Sequence, residues 1–281
     1  MHLPYNTCFN YETGIPFAGQ RDKMSPVETG RSILSLDAVP APETPAGRPR
    51  LHRGKKWFRR LLFGFLAVVL GYHGWIFWQV WRLRDHNPDT TAFMQQGLER
   101  LQARSPRAQL QHRWVPYQQI SVELKRAVIA AEDQKFLDHE GFDVEAIQEA
   151  YEENERRGRI RRGASTISQQ LAKNLFLSPE RSYLRKAHEG VITLMIEALL
   201  SKRRILEIYL NVVEWGNGIY GAEAAAQYYY GISAAELDPE QAARMAAMIP
   251  NPRFFAGHQS SPYLEERTKT LLTQMEYVRV P

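Results

Sequence analysis

A single carboxylate set among apolar residues is the first feature of this chain that asks for a chemical role. Over Ala127 to Asp143 (AVIAAEDQKFLDHEGFD), a helical reading puts Leu124, Val128, Glu132 and Phe136 four residues apart on one face. Three are apolar and one is Glu132. Burying a carboxylate without partners is costly, so Glu132 needs either solvent or a task, and a solvated stripe edge is the ordinary fate of a lone Glu. Asp133, His139 and Asp143 add ionisable groups around Gly141, and of these His139 and Asp143 read, with Phe136, as residues that shape the turn.

A second cluster lies in Gly163 to Leu177 (GASTISQQLAKNLFL). Thr166 and Gln169 have capping-box spacing, which predicts a helix start. Ile167, Leu171 and Leu175 form its apolar face. Thr166, Gln169, Gln170, Lys173 and Asn174 form a polar face rich in amides. A surface helix normally mixes Glu with Lys. Amides and a Lys beside a Gly–Ala–Ser–Thr N-terminus read instead as donors for an anion. Further on, Arg181, Arg185 and Glu189 fall four apart on one predicted helix face. As an ordinary i,i+4 pair, Arg185 and Glu189 contribute under roughly 0.5 kcal/mol.

The elements that must position these residues read as helices. Val144, Ile147 and Tyr151 have helical spacing and lead into a charged run with two glycines, ENERRGRIRRG (Glu153 to Gly163), a candidate mobile loop. Arg181 to Leu200 predicts a long helix with a core stripe of Ile192, Met195, Ile196 and Leu199, continued after a break by Arg203 to Val213. Gly216, Gly218 and Gly221 form a turn into a helix from Ala222 to Tyr230. Two final helices flank Pro250-Asn251-Pro252. No strand pattern stands out after residue 120, so the glycine turn is not a nucleotide fingerprint.

Upstream, composition shifts sharply. Residues 1–56 read as a disordered tail that turns basic at Arg48, Arg50, Arg53, Lys55 and Lys56. Residues 57–83 contain the run Leu61 to Trp81, free of Asp, Glu, Lys and Arg and long enough to cross a bilayer core of roughly 30 Å. The basic flank predicts a cytoplasmic N-terminus, a single uncleaved anchor in the inner (cytoplasmic) membrane, and a periplasmic remainder. Residues 84–120 read as a connector carrying a short surface helix at Leu98 and Leu101. Its Trp114 and Tyr117 can dock on the domain or lie on the membrane. Residues 121–281 read as a mostly helical domain. The 281-residue chain has one cysteine, Cys8, which excludes an intrachain disulfide and a cysteine-based zinc site. The formal net charge of +5 permits an anionic partner. Nucleic acid is not expected, because no reading motif is present.

Five stretches now stand in order: EDQKF with HEGFD (Glu132 to Asp143), GASTISQQLAKN (Gly163 to Asn174), RKAHE (Arg185 to Glu189), KRRILEIYLN (Lys202 to Asn211) and GNGIYGAEAAAQYYYG (Gly216 to Gly231). Their order and spacing resemble the five motifs of the peptidoglycan glycosyltransferases of family 51, over about residues 120 to 255. Ala164 departs from the pattern, standing where many members have a second glycine. The resemblance implies an all-α, lysozyme-like, two-lobed domain close to the membrane. It implies polymerisation of lipid II into β-1,4 glycan strands, with inversion and release of undecaprenyl diphosphate. The implied partners are lipid II, the growing strand, membrane lipids, and cell-wall synthesis or division proteins.

By the same resemblance, Glu132 is the general base and Glu189 the second catalytic carboxylate. Ser165, Gln169, Gln170, Lys173, Arg181, Arg185 and Lys186 serve the diphosphates. Those cations favour the Glu132 carboxylate, against the upward shift that burial brings. No cofactor is required, and Glu189 is a candidate ligand for a divalent cation, Mg or Mn. Asn211 and Glu207 are expected to brace the cleft from behind. Two other readings stay open: a glycan-cleaving enzyme of similar fold, which would need an acid for a sugar leaving group, and a non-catalytic membrane-tethered scaffold.

Overall fold

The structure, a computed structural model, describes residues 52–158, 163–180 and 182–281, with side chains from Lys56 onward. The expected tail over residues 1–56 lies outside these residues except at its last positions. Arg181 and positions 159–162 of the charged run also lie outside them. Contacts divide the chain into residues 1–52 and residues 53–281, and the second unit carries the elements below.

Helix α1 (His52–Arg82) contains a span, Lys56–Arg82, of 27 residues that is long and apolar enough to cross a membrane. At 1.5 Å per residue this is about 40 Å. Trp57, Phe58, Phe63, Phe65, Val68 and Leu70 are exposed along it, as lipid-facing residues must be. The other end is packed: Ile76, Val80 and Leu83 are buried in the main core. The protein is thus membrane-anchored by a helix fused to its folded domain. Arg204 fastens the junction, donating from Nε to the Leu83 carbonyl (2.7 Å) and from Nη2 to the His86 carbonyl (3.0 Å) and Asn87 Oδ1 (2.8 Å).

The connector is more built than its sequence promises. Thr91 caps α2 (Ala92–Gln102), whose Met94 and Gly97 are buried. This helix packs on α5 (Ile167–Phe176) and is tied down where Tyr220 Oη donates to the Phe93 carbonyl (3.0 Å). Trp114 and Tyr117 dock on the domain. Tyr117 is buried, donates to the Pro281 carbonyl (2.7 Å), and lies under the Lys125 ammonium at 4.0 Å and the Arg203 guanidinium at 4.7 Å.

Beyond it the described residues are mostly helical: α3 (Val122–Glu132), α4 (Val144–Arg157), α5, α6 (Tyr183–Leu199), α7 (Lys202–Val212), α8 (Ala222–Tyr230), α9 (Pro239–Met248), α10 (Pro252–Ala256) and α11 (Pro262–Met275). Local chemistry sets the starts. Ser121, Asp143, Ser182 and Ser201 each accept a backbone N–H in the first turn of α3, α4, α6 and α7. Full capping boxes, Thr166 with Gln169 and Asp238 with Gln241, start α5 and α9. One group packs α3, α9 and α11. Another packs α5 with α2, α6 and α7. One hydrophobic core runs through both.

Three expectations are corrected. Helix α3 stops at Glu132, so Phe136 is not on its face, although it is fully buried just beyond. The stripe Val144, Ile147 and Tyr151 of α4 faces outward, and Ala150 is that helix's buried residue. A small sheet exists, order β1-β3-β2: β1 (Gln111–His112) runs parallel to β3 (Ile219–Tyr220), and β2 (Glu214–Gly216) antiparallel to it. Strands of two or three residues are too short to show alternation. Gly221 (φ +84°) turns the chain out of β3, and a Cβ there would stand 2.6 Å from the Asn211 carbonyl oxygen. Asn211 also pairs with Val115 through both side-chain atoms (2.9 and 3.0 Å), and Glu207 accepts from Tyr117 N (3.0 Å), so both residues brace the 112–117 segment.

Candidate active site

Glu132 is the last residue of α3, and its carboxyl looks out from the helix end towards α5. There Gln170 Nε2 donates to Glu132 Oε2 (2.6 Å), and Tyr209 Oη, from α7, donates to Gln170 Oε1 (2.8 Å). Tyr209 is wholly buried, so the amide of Gln170 is held in one orientation. Glu132 borders a cleft of about 530 Å³ that is also lined by Asp143, Gly163, Ser165, Arg267 and Gln274. Burial pushes its pKa up, outweighing the Gln170 hydrogen bond and the charges of Arg267 and Lys173, which favour the carboxylate. The sequence sets cations against burial at this carboxyl, and burial is the larger of the two. A raised carboxyl pKa suits proton uptake near neutral pH.

The chain leaves Glu132 through a fixed turn. Asp133 breaks the helix and spends both carboxylate oxygens on other segments: Oδ1 accepts from His139 Nε2 (2.9 Å) and Oδ2 from Ile167 N (3.0 Å). Gly141 N donates to His139 Nδ1 (3.1 Å), which puts the imidazole proton on Nε2. Thr166 Oγ1 donates to the Gly141 carbonyl (2.7 Å), and Lys202 Nζ to the His139 carbonyl (2.6 Å). These contacts make His139 a turn-shaping residue and lock the ends of α3 and α5 together, while Asp143 caps α4 and Phe136 is buried under the Lys202 ammonium. Asp133→Ala should therefore orphan the buried Ile167 N–H and the His139 ring and cost about 1–3 kcal/mol. Denaturant unfolding in detergent reads that loss, and a change inside roughly 0.5 kcal/mol would contradict it.

A group of cations gathers on α5 and α6. Lys173, on α5, carries its ammonium 5.4 Å from the centre of the Phe93 ring. Desolvation lowers its pKa, and Arg185, Lys186 and Glu189 of α6 are near enough to act on its charge. Glu189 is 3% exposed and takes Arg185 Nη1 on Oε2 (2.7 Å) and Lys186 Nζ on Oε1. Lys186 also reaches Ser165 Oγ (3.5 Å). Arg185 Nε is buried with no partner among the described residues. A buried donor without an acceptor marks a place for a ligand oxygen. The donor set does not fit a divalent cation. Both oxygens of Glu189 face cations, and among the described residues no group of three His, Cys, Asp or Glu side chains comes together.

The fold thus brings Glu132, Gln170, Lys173, Arg185, Lys186, Glu189 and Ser165 to one region. Gln169 is set apart: it is buried, and its Oε1 accepts from Thr166 N in the capping box (3.1 Å). Gln170 is engaged by Glu132 and Tyr209 rather than held open for an anion. Two neighbours were not singled out from sequence. The Tyr209 hydroxyl sits on a position that reads as apolar. Arg267 lies on the last helix, with Nη2 on the Ala131 carbonyl (3.2 Å), and no spacing links it to Glu132.

Known proteins share this arrangement of sequence. A family model described as Transglycosylase matches residues 98–276, and so takes in the C-terminal end of α2 as well as the helical domain. A biosynthetic peptidoglycan transglycosylase of Nitrosospira multiformis is 55% identical over 227 residues, 81% of this chain and 99% of the relative. The protein of that name from Azoarcus sp. is 58% identical over 226 residues, 80% of this chain and 97% of the relative. That from Janthinobacterium sp. is 54% identical over 230 residues, covering 80% of this chain and the whole relative. With most of its length matched by the family model and such relatives covered nearly end to end, this chain belongs to the transglycosylase family.

Proposed function

We propose that this membrane-anchored peptidoglycan glycosyltransferase polymerises lipid II with Glu132 as its general base. The observation that carries the reading is the Glu132 carboxyl, held by Gln170 and Tyr209, raised in pKa by burial, and facing a cationic group one helix away. The 4-hydroxyl of the acceptor GlcNAc attacks C1 of the donor MurNAc and gives its proton to Glu132. The C1–O bond breaks as the new bond forms, and its electron pair leaves with undecaprenyl diphosphate. The anomeric carbon inverts, giving a β-1,4 linkage with no water and no second nucleophile. Base catalysis of this kind is worth about 10²–10⁴ in rate.

Lys173, Arg185 and Lys186, with Ser165 at the cleft lip, suit the diphosphate, and Arg181 belongs to the same set by its place in the motif. Developing charge on the leaving group is where fixed cations act most strongly. Glu189 keeps Arg185 and Lys186 aimed and so acts as a positioning residue. The anchor keeps the site beside a lipid substrate that stays in its bilayer, raising its effective concentration. The basic residues on the N-terminal side of the apolar run support a cytoplasmic N-terminus and a catalytic domain on the outer face of the inner membrane. Partners among the cell-wall synthesis and division proteins belong to the same reading.

The pH dependence tests the base. Its carboxyl must be ionised to act, and burial raises its pKa, so activity is lost as pH falls through that raised value. The acid limb of kcat/KM for lipid II polymerisation is expected above the ordinary carboxylate range. A rate that holds level down into that range would contradict the assignment.

A further inference from the structure

A cavity of about 360 Å³ lies where α1 joins the folded domain, large enough for a ligand and separate from the cleft at Glu132. Its wall along α1 changes character with depth. Arg82 closes the membrane-spanning stretch, and with Asp89 of the following loop it stands at the rim. Gln79 lies about 4.5 Å below Arg82 at 1.5 Å per residue, and Ile76, Trp75 and Tyr72 continue the wall to about 15 Å below it. Leu175 and Phe176, at the end of α5, add apolar wall from the domain.

The lower half of this cavity stands at hydrocarbon depth, where acyl chains rather than water or soluble ligands fill an apolar space. The upper half offers charges of both signs. Arg82 lies over the Trp78 ring at 5.1 Å, and among the described residues neither Arg82 nor Asp89 has an ion pair. Both side chains are exposed, as groups that meet the membrane surface must be. The chain between them and α2 is fixed. Arg204 holds the His86 carbonyl and Asn87 Oδ1 (3.0 and 2.8 Å), and Thr91 Oγ1 accepts from Met94 N (3.1 Å). A guanidinium and a carboxylate on one rim match a headgroup that carries a phosphate and an ammonium. They do not match a diphosphate, which Asp89 would repel.

We infer that this cavity holds one phospholipid of the surrounding bilayer whose headgroup combines a phosphate with a primary ammonium. The phosphate meets Arg82 and the ammonium meets Asp89. The ester region lies beside Gln79, and a chain follows Ile76, Trp75 and Tyr72. The lower wall is also tied to α6, because the Tyr72 and His73 rings each lie 5.4 Å from that of His188. A seated lipid therefore fixes the anchor against α5 and α6. The inference does not rest on the proposed glycosyl transfer.

Full-length protein is exchanged into detergent micelles that contain equal amounts of phosphatidylethanolamine and phosphatidylglycerol, and the lipids that stay bound are counted by native mass spectrometry. Wild type should retain one phosphatidylethanolamine, in at least about fivefold excess over phosphatidylglycerol, the discrimination that one charge gives at a membrane surface. Asp89→Asn should erase the preference, and Arg82→Gln should lower retention of both lipids by about fivefold. The preference is a ratio within each sample, so a loss of folded protein does not imitate its disappearance. Equal retention of the two lipids by wild type, or a preference that survives Asp89→Asn, would overturn the inference. So would one-for-one displacement of the bound lipid by added lipid II, which would give the cavity to the substrate.

Discussion

Glu132→Gln is expected to slow strand formation from lipid II by about 10²–10⁴ while leaving the protein folded. The replacement keeps an acceptor for Gln170 Nε2, which now meets Glu132 Oε2 at 2.6 Å, and it keeps the side-chain volume. It removes only the charge and the ability to take a proton. Stability separates this from a folding defect. Burial raises the folded-state pKa of Glu132, so the native state resists its ionisation. A group raised in this way contributes stability below its unfolded pKa and loses it as pH rises through the folded value. At neutral pH the buried charge is therefore a cost, and the Gln variant should unfold at the same temperature as wild type or higher, a trade of stability against activity common at such sites. Circular dichroism melts beside the rate measurement check both halves. A variant that keeps its rate removes Glu132 from the chemistry. One that loses rate and melts early would move it to the scaffold.

Lys173→Met should lower kcat/KM for lipid II by about 10²–10³, the usual cost of removing one fixed charge from a developing anion. The substitution keeps the length of the side chain over Phe93 and removes its ammonium. A second effect follows from geometry. The charge of Lys173 favours ionisation of Glu132, so without it the Glu132 pKa rises further. The acid limb of the rate profile should move to higher pH in the variant. A residue that merely filled space would reduce the rate without moving that limb, so the two readouts together isolate the electrostatic role.

Much of this site was legible because its signals are local. The Thr166–Gln169 box announces the start of α5, and the four-residue spacing of Arg185 and Glu189 survives as a contact at 2.7 Å. The apolar stripe that drew attention to Glu132 keeps it on α3 with Leu124 and Val128 but is misleading about Phe136, which lies beyond the helix end. Asp133 ends the helix by giving its carboxylate to Ile167 N and His139, partners remote enough that no local pattern reveals them. The same limit hid Tyr209 and Arg267, which reach the site from α7 and α11. It also made α2 read as a surface helix, when its Gly97 lies so close to Tyr220 that a Cβ would stand 2.2 Å from the hydroxyl. Gln169 and Gln170 show the reverse case. Two adjacent amides look interchangeable in sequence, but a helix turns by about 100° per residue, which sends one into the cap and the other to Glu132.

The most direct test is a product balance on wild-type protein given labelled lipid II in detergent. Transfer with Glu132 as base predicts a polymer that a β-1,4 muramidase cuts into disaccharide units, with undecaprenyl diphosphate released in step with each new bond. Absence of polymer, together with release of sugar fragments from purified cell wall, would contradict the account and assign the same carboxyl to cleavage.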